Sequence, residues 1–367
     1  MGCAGSKPDS SLEISGATNH VSLASSGVRN DRSFPGPHIE LASTVAAGRV
    51  PGEILSGGED RCVALTDWVG RKIVQQWRGH EKGVNCVLPA PKLDGAVSGG
   101  RDTTVRQWRV GTPEAVQVLN GHDLTVSAMA IDDANTQLCT GSRDSSLRLW
   151  DLATGASVSR RHVSRNVVTC MAWVPGEPLL WQGAEDLRLR LWDVRSMQQP
   201  AATLEGYVYF PLACDCNGHH CLTGSNGFDA VGCEVRLWDR RMLKEAVVAM
   251  TGHEQAVTGV ALLGGGSRAA SGSKEGKLKL WDLSKGTCVG TSPLNMFSSG
   301  GQRVGEDAGG VTDLGAALAG EDGAQLFAST TTGALHVFRI QEEGGGGNGP
   351  LEPVAQATPS DGLAGKV

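Results

Sequence analysis

Three short stretches of the chain carry residue types able to do chemistry. The first is MGCAGSK at residues 1–7. Once Met1 is removed, Gly2 is followed by small residues and then Ser6, the M-G-x-x-x-[ST] pattern of a myristoylation acceptor, and Cys3 offers a neighbouring thiol for palmitate. The second is CDCNGHHC at 214–221, where Cys214, Cys216, His219, His220 and Cys221, with Cys233, supply enough thiolate and imidazole for zinc. The third is RRHVSR at 160–165, the densest basic run, which could pair with an acidic partner or a phosphate. Two enzyme-like patterns fail on context. Gly344, Gly346 and Gly349 spell G-x-G-x-x-G, but Pro350 follows and no helix opens there. GSKEGK at 272–277 lacks phosphate-loop spacing, and no nucleophile elbow occurs.

Composition narrows the classes further. Of 367 residues 51 are Gly and 15 Pro, a share that demands many turns, and nine of the 17 aromatic residues are Trp. A net charge of −6 does not suit a nucleic-acid binder, whose affinity rests on Lys and Arg facing phosphate. No stretch approaches the ~18 apolar residues of a membrane span, and no apolar signal region opens the chain. Ten scattered Cys and the lack of an N-x-[ST] acceptor fit a reducing cytosol.

The elements that position these residues repeat. VRQWR, LRLWD, LRLWD, VRLWD and LKLWD place Trp108, Trp150, Trp192, Trp238 and Trp281 at separations of 42, 42, 46 and 43. Gly-His pairs at His80, His122 and His253 each precede the repeat's Trp by 28 residues. Small-residue turns ending in an acid, SGGRD, TGSRD, QGAED and SGSKE, stand between. Within repeat three, VSAMAI (126–131), QLCTG (137–141), SLRLWDL (146–152) and SVSRRH (157–162) read as four short strands, and no long 3.6-residue period suggests a helix.

These residues resemble the WD-repeat family, whose unit is one four-stranded blade of a β-propeller. Two degenerate repeats complete the count. Thr66 stands where Trp is due, with His38 after Pro37 in the Gly-His place, and Phe338-Arg339 ends the last repeat. The resemblance therefore implies an all-β, seven-bladed propeller over 37–340. It implies a flexible N-terminal segment over 1–36, with about 29–36 favoured as the closing strand, and a disordered tail over 341–367. It also implies a hydrogen-bonded relay within each blade: His80, Asp102, Ser98 and Trp108; His122, Asp144, Thr140 and Trp150; His253, Ser271 and Trp281, with Glu275 in the Asp place. In repeat four Gln182 replaces the Ser or Thr and Arg161-His162 replaces Gly-His. A His-Asp-Ser set invites a triad reading, but one set per blade argues for architecture. No cofactor or metal is expected. Aligned on repeat three, Asn217-Gly218 falls in a hairpin turn and Cys221 matches Leu138, so CDCNGHHC reads as strand and turn.

Two insertions depart from the period. TGSNGFDAVGCEVRLWD (223–239) carries five extra residues, and 292–310 lengthens the connection between repeats six and seven. In the family both lie on one ring face, and long loops on rigid scaffolds carry function. The N-terminus is similar to those of dually acylated signalling proteins. The expectation is a non-enzymatic, monomeric scaffold at the cytosolic face of a membrane, binding protein partners and no nucleic acid. By analogy with short lipid-anchored WD-repeat proteins it would be ciliary or trafficking-related. The alternative is a soluble substrate receptor of a ubiquitin ligase.

Overall fold

The computed structural model describes residues 33–163, 167–263, 266–294, 309–317, 325–340 and 351–358. They form seven antiparallel sheets, spanning 42–78, 84–119, 126–162, 168–204, 211–250, 257–293 and 311–358. Within each sheet the strands a to d follow chain order. Blade three is Val126–Ile131, Gln137–Ser142, Ser146–Asp151 and Ser157–His162, three inner runs rich in buried apolar residues and a polar outer strand, divided by DDANT, SRDS and ATGA turns. Strand a of every blade contacts strand a of the next, and that of blade seven contacts that of blade one, so the ring closes. The seven a strands line a central channel of about 1020 Å³.

The apolar core lies between the blades. Seven buried clusters occur, one at each seam: Leu147, Leu149 and Cys139 of blade three pack on Met171, Leu180 and Trp192 of blade four. Phe327, Leu335 and Val337 of blade seven pack likewise on Ala42, Val45 and Ile54 of blade one. A single four-stranded sheet would leave both faces wet, so no blade is complete without its neighbours.

Ring closure differs from the expectation. The outer strand of blade seven is Leu351–Thr358, paired antiparallel with Leu335–Ile340, so this part of the tail is ordered. Ser33–Pro35 pairs with the same strand in parallel, Ser33 opposite Gln356 and Pro35 opposite Thr358, as a fifth strand beyond the fourth. Both ends of the chain thus meet in one sheet. Pro353 is tolerated because the ladder shifts register there, where Phe338 faces Pro353 and Val337 faces Ala355, and Leu351 is buried in the seam with blade six. Residues 1–32, 341–350 and 359–367 lie outside the described residues.

Candidate functional site

The relay residues converge as spacing implied. Each His stands in the loop entering strand a, each acid in the turn between strands b and c, and these two connections lie at the same end of the sheet. In blade two His80 Nδ1 is 2.9 Å from Asp102 Oδ2, its Nε2 is 2.8 Å from Ser98 Oγ, and the Trp108 indole donates to that Oγ at 2.7 Å. Blade three repeats this with His122 to Asp144 at 3.0 Å, to Thr140 at 2.7 Å, and Trp150 to Thr140 at 2.8 Å. With the proton on Nδ1, the chain of donors runs from indole to hydroxyl, from hydroxyl to imidazole and from imidazole to carboxylate. Burial alone would raise the Asp102 and Asp144 carboxyls. Bonds from the imidazole, the next backbone N–H and a turn hydroxyl outweigh it and hold both well below the usual range.

The atom order is that of a Ser-His-Asp triad, yet it cannot act as one. Ser98, Thr140 and Ser271 have no exposed surface, and each hydroxyl already accepts an indole N–H. In blade six Glu275 does the work of Asp, 2.8 Å from His253, while Ser271 joins His253 at 2.7 Å and Trp281 at 2.8 Å. A fourth set was legible only in part. His38 reaches Ser56 at 2.8 Å and Asp60 at 3.0 Å, but Thr66 fills the Trp place, and its hydroxyl finds no partner among the described residues. The missing indole has moved to the outer strand, where Trp77 stacks on Trp108 at 6.1 Å.

Blades four, five and seven depart from the set. Trp192 donates to Gln182 Oε1 at 3.2 Å, and Asp186 pairs with Arg190 in place of a His. Blade five uses Gly206-Tyr207: the phenol lies 2.8 Å from Thr223 Oγ1, which also accepts from Trp238 at 3.2 Å. Nothing in the spacing flagged Tyr207, although Gly-Tyr stands in the Gly-His place. Blade seven has Ala328 opposite His336 where the others have Ser, Thr or Gln, and Phe338 has no N–H to satisfy. Burial lowers the His336 imidazole to about 4, and its Nδ1 has no partner among the described residues.

A second polar system joins the blades, and the sequence reading missed it. All seven a strands carry a bulge after their first residue, at Ser43, Asn85, Ser127, Thr169, Leu212, Thr258 and Thr312. A bulge re-aims its side chain. Here five of the seven are turned onto the first carbonyl of the next a strand: Asn85 to Val126 at 3.2 Å, Ser127 to Val168 at 2.5 Å, Thr169 to Pro211 at 2.5 Å, Thr258 to Val311 at 2.7 Å and Thr312 to Ala42 at 2.5 Å. Leu212 cannot donate, and across that seam Asp215 accepts instead from Leu262 N–H at 2.8 Å. Asp313 adds bonds from Thr44 Oγ1 at 2.8 Å and Val45 N–H at 3.1 Å at the seam between blades seven and one. Burial raises Asp215 and Asp313 to about 6, with the backbone donors limiting the rise. These channel carboxylates are therefore committed to joining blades. The signal available in sequence was a polar residue 23 positions before Trp108, Trp150, Trp192 and Trp281.

The comparisons agree with this geometry. The family "WD domain, G-beta repeat" matches residues 71–109, 113–151 and 244–282, each match ending at the strand-c dipeptide Trp-Arg or Trp-Asp. The chain is a WD-repeat propeller. Its matched unit starts near or in the outer strand of one blade and ends in strand c of the next, one strand out of phase with the sheets. Among curated proteins, zinc finger CCCH domain-containing protein 17 of Oryza sativa subsp. japonica is 45% identical over 47 residues, 13% of this chain and 10% of that protein. Pre-mRNA-processing factor 19 of Caenorhabditis elegans is 29% identical over 82 residues, 22% of this chain and 17% of that one. The chain thus matches less than a fifth of the length of either relative. WD-repeat propellers are generally non-catalytic and typically bind protein partners.

The remaining candidates fall into the propeller as follows. CDCNGHHC forms the hairpin Pro211–Cys216 and His220–Ser225 with Asn217-Gly218 in its turn, and Cys221 faces Trp238 as Leu138 faces Trp150. Burial pushes the Cys216 and Cys221 thiols well up, and among the described residues no His, Cys, Asp and Glu group is set for a metal. In RRHVSR, Arg160 pairs with Asp123 at 3.2 Å and Arg161 donates to the Met197 and Gln198 carbonyls at 2.6 and 2.7 Å, so these two arginines are engaged within the ring, and Arg165 lies outside the described residues. Gly2 and Cys3 lie outside the described residues, as do 295–308 of the second insertion.

Proposed function

We propose that this WD-repeat propeller is a protein-binding scaffold held at the cytosolic face of a membrane by acyl chains on Gly2 and Cys3. The observation that carries the reading is MGCAGSK, followed by a segment with one basic residue, Lys7, before Arg29. A single myristoyl chain binds membranes only marginally, with an association constant on the order of 10⁴ M⁻¹, so stable residence needs a second signal. With no polybasic run to provide it, the second signal falls to a thioester on Cys3. Myristoylation then permits transient sampling, and palmitoylation traps the protein. A ciliary or trafficking setting rests on analogy alone.

Fractionation and live-cell imaging test this. Gly2→Ala is expected to abolish both lipids and release the protein. Cys3→Ser is expected to keep the myristoyl group and exchange rapidly between membrane and cytosol. Membrane residence of Gly2→Ala would remove the lipid anchor from the account, and a wild-type protein found wholly soluble would favour the ligase-receptor alternative.

A further inference from the structure

The insertion of blade five builds an exposed apolar cluster at the end of the sheet that carries the b–c turns. Residues 226–234 fold into a small hairpin: Phe228 and Val231 exchange backbone bonds at 3.2 and 2.9 Å, with Asp229 and Ala230 at φ 49° and 61° between them. Two consecutive positive φ values describe a type I′ tip, which usually takes Asn-Gly; an Ala there is strained. The surroundings hold the hairpin in place. Asn226 N–H bonds the Phe210 carbonyl at 3.0 Å, Ala230 N–H bonds the Glu254 carbonyl of the next blade's loop at 2.9 Å, and Cys233 is buried at its root. The Tyr209 ring packs so closely on Gly232 that a Cβ there would meet Cδ2 at 2.4 Å, and the same ring meets Phe228 edge-on at 5.3 Å. The result is a fixed cluster with Val208, Phe228 and Val231 at 58%, 52% and 54% exposure.

Charge selects the occupant. Asp229 stands at the tip with no ion pair among the described residues. Glu254 beside it is exposed, and its one counter-ion among the described residues, Lys277 at 3.7 Å, lies closer to Glu275 at 2.7 Å. Glu205 across the cluster is met by Arg188. An exposed aromatic ring with an unmatched carboxylate two atoms of chain away attracts a cation over its face. A second copy of this chain would bring like charge against like. We infer that the blade-five hairpin docks a partner peptide in which an aliphatic or aromatic residue lies beside Lys or Arg, the apolar side chain packing on Phe228 and Val231 and the cation meeting Asp229 and Glu254. This site deepens the scaffold reading and does not depend on the lipid anchor.

The test is a random heptapeptide library displayed on phage and selected on the purified full-length chain. The site predicts enriched sequences with Lys or Arg within two positions of an apolar residue. Binding of the best synthetic peptide should fall at least roughly tenfold in Phe228→Ala and in Asp229→Lys, as for central anchors of small interfaces. Met242→Ala, in the turn after strand c at the opposite end of blade five, should bind as wild type, and matched melting curves show that each variant is folded. Enrichment of acidic or charge-indifferent peptides, equal affinity of Phe228→Ala, or a dimer that Phe228→Ala abolishes would overturn the assignment. Peptides that bind elsewhere on the ring would remove this site and leave the scaffold reading standing.

Discussion

Blades three and seven have the same four-stranded ladder and share little of its polar chemistry. Blade three joins Trp150, Thr140, His122 and Asp144 in one chain of bonds. Blade seven has Ala328 and a stacked pair of Phe338 and His336, whose Nδ1 has no hydrogen-bond partner among the described residues, and still forms its sheet. What blade seven has in addition is a fifth strand, Ser33–Pro35, paired with its outer strand Leu351–Thr358. The relay, then, is one way to hold a blade's outer strands to the loop above them, and apolar packing with extra strand pairing is another. The first specifies geometry through hydrogen bonds that must all be made; the second tolerates drift.

Removing residues 351–367 should have the largest effect on this contrast. It takes away the outer strand of blade seven, its ladder to Leu335–Ile340 and the buried Leu351. At about 1 kcal/mol per ladder bond and 1.5–3 for the side chain, a loss of more than about 5 kcal/mol is expected in denaturant unfolding. A truncated chain that unfolds at the wild-type midpoint would mean that the strand contributes nothing to closure.

Trp150→Ala comes next, at about 3–5 kcal/mol, because it opens a cavity at the seam between blades two and three and leaves Thr140 without its donor. Trp150→Phe should recover much of the packing and still cost about 1–3 kcal/mol for the broken relay. If Phe is neutral in blade three, as it is native in blade seven, the relay adds no stability.

The smallest effects are in pH dependence, where the two polar systems should show opposite signs. Asp144 is held below its unfolded value, so its contribution is complete above about pH 4 and is lost as pH falls through the folded value. Asp144→Asn should flatten that acid limb. Asp313 is raised to about 6, so between about pH 4 and 6 the folded chain keeps a proton the unfolded chain has released. Stability therefore declines as pH rises through this window and levels off above it. Asp313→Asn should remove part of the decline and leave the part that Asp215, raised to about 6 as well, contributes. Melting temperatures measured from pH 3 to 8 would separate the two, and matching slopes in both variants would contradict the assignment of the shifts.

The ring and its relays were legible because Trp is rare, large and fixed in phase, so five copies set the register of everything between them. Glu275 for Asp could be read by position and needed coordinates only to show that its longer arm still reaches His253. The seam contacts were harder to see. Ser127 and Thr169 look like ordinary polar interruptions of a strand until the bulge that turns them toward the next blade is known, and a bulge is a property of the paired sheet. Tyr207 escaped because a phenol and an imidazole share no sequence signal, only the capacity to bond a buried hydroxyl. The closing strand was hidden behind GGGGNGP and by Pro353, features that argue against a strand in isolation. They lose that force beside an open edge with room for a bulge.

Force arriving along the N-terminal segment would meet the propeller at the parallel pair of Ser33–Pro35 with Gln356–Thr358. Three residues of ladder are a weak zipper that can be peeled one bond at a time. Three residues further on, the chain enters the ring at His38, fully buried and held by Ser56 on one nitrogen and Asp60 on the other. The first element yields and the second is a mechanical stop. A pull on this terminus would therefore release a few residues of chain before any load reached blade one, leaving the seam bonds of Thr312 to Ala42 and Asp313 to Val45 to keep the ring shut.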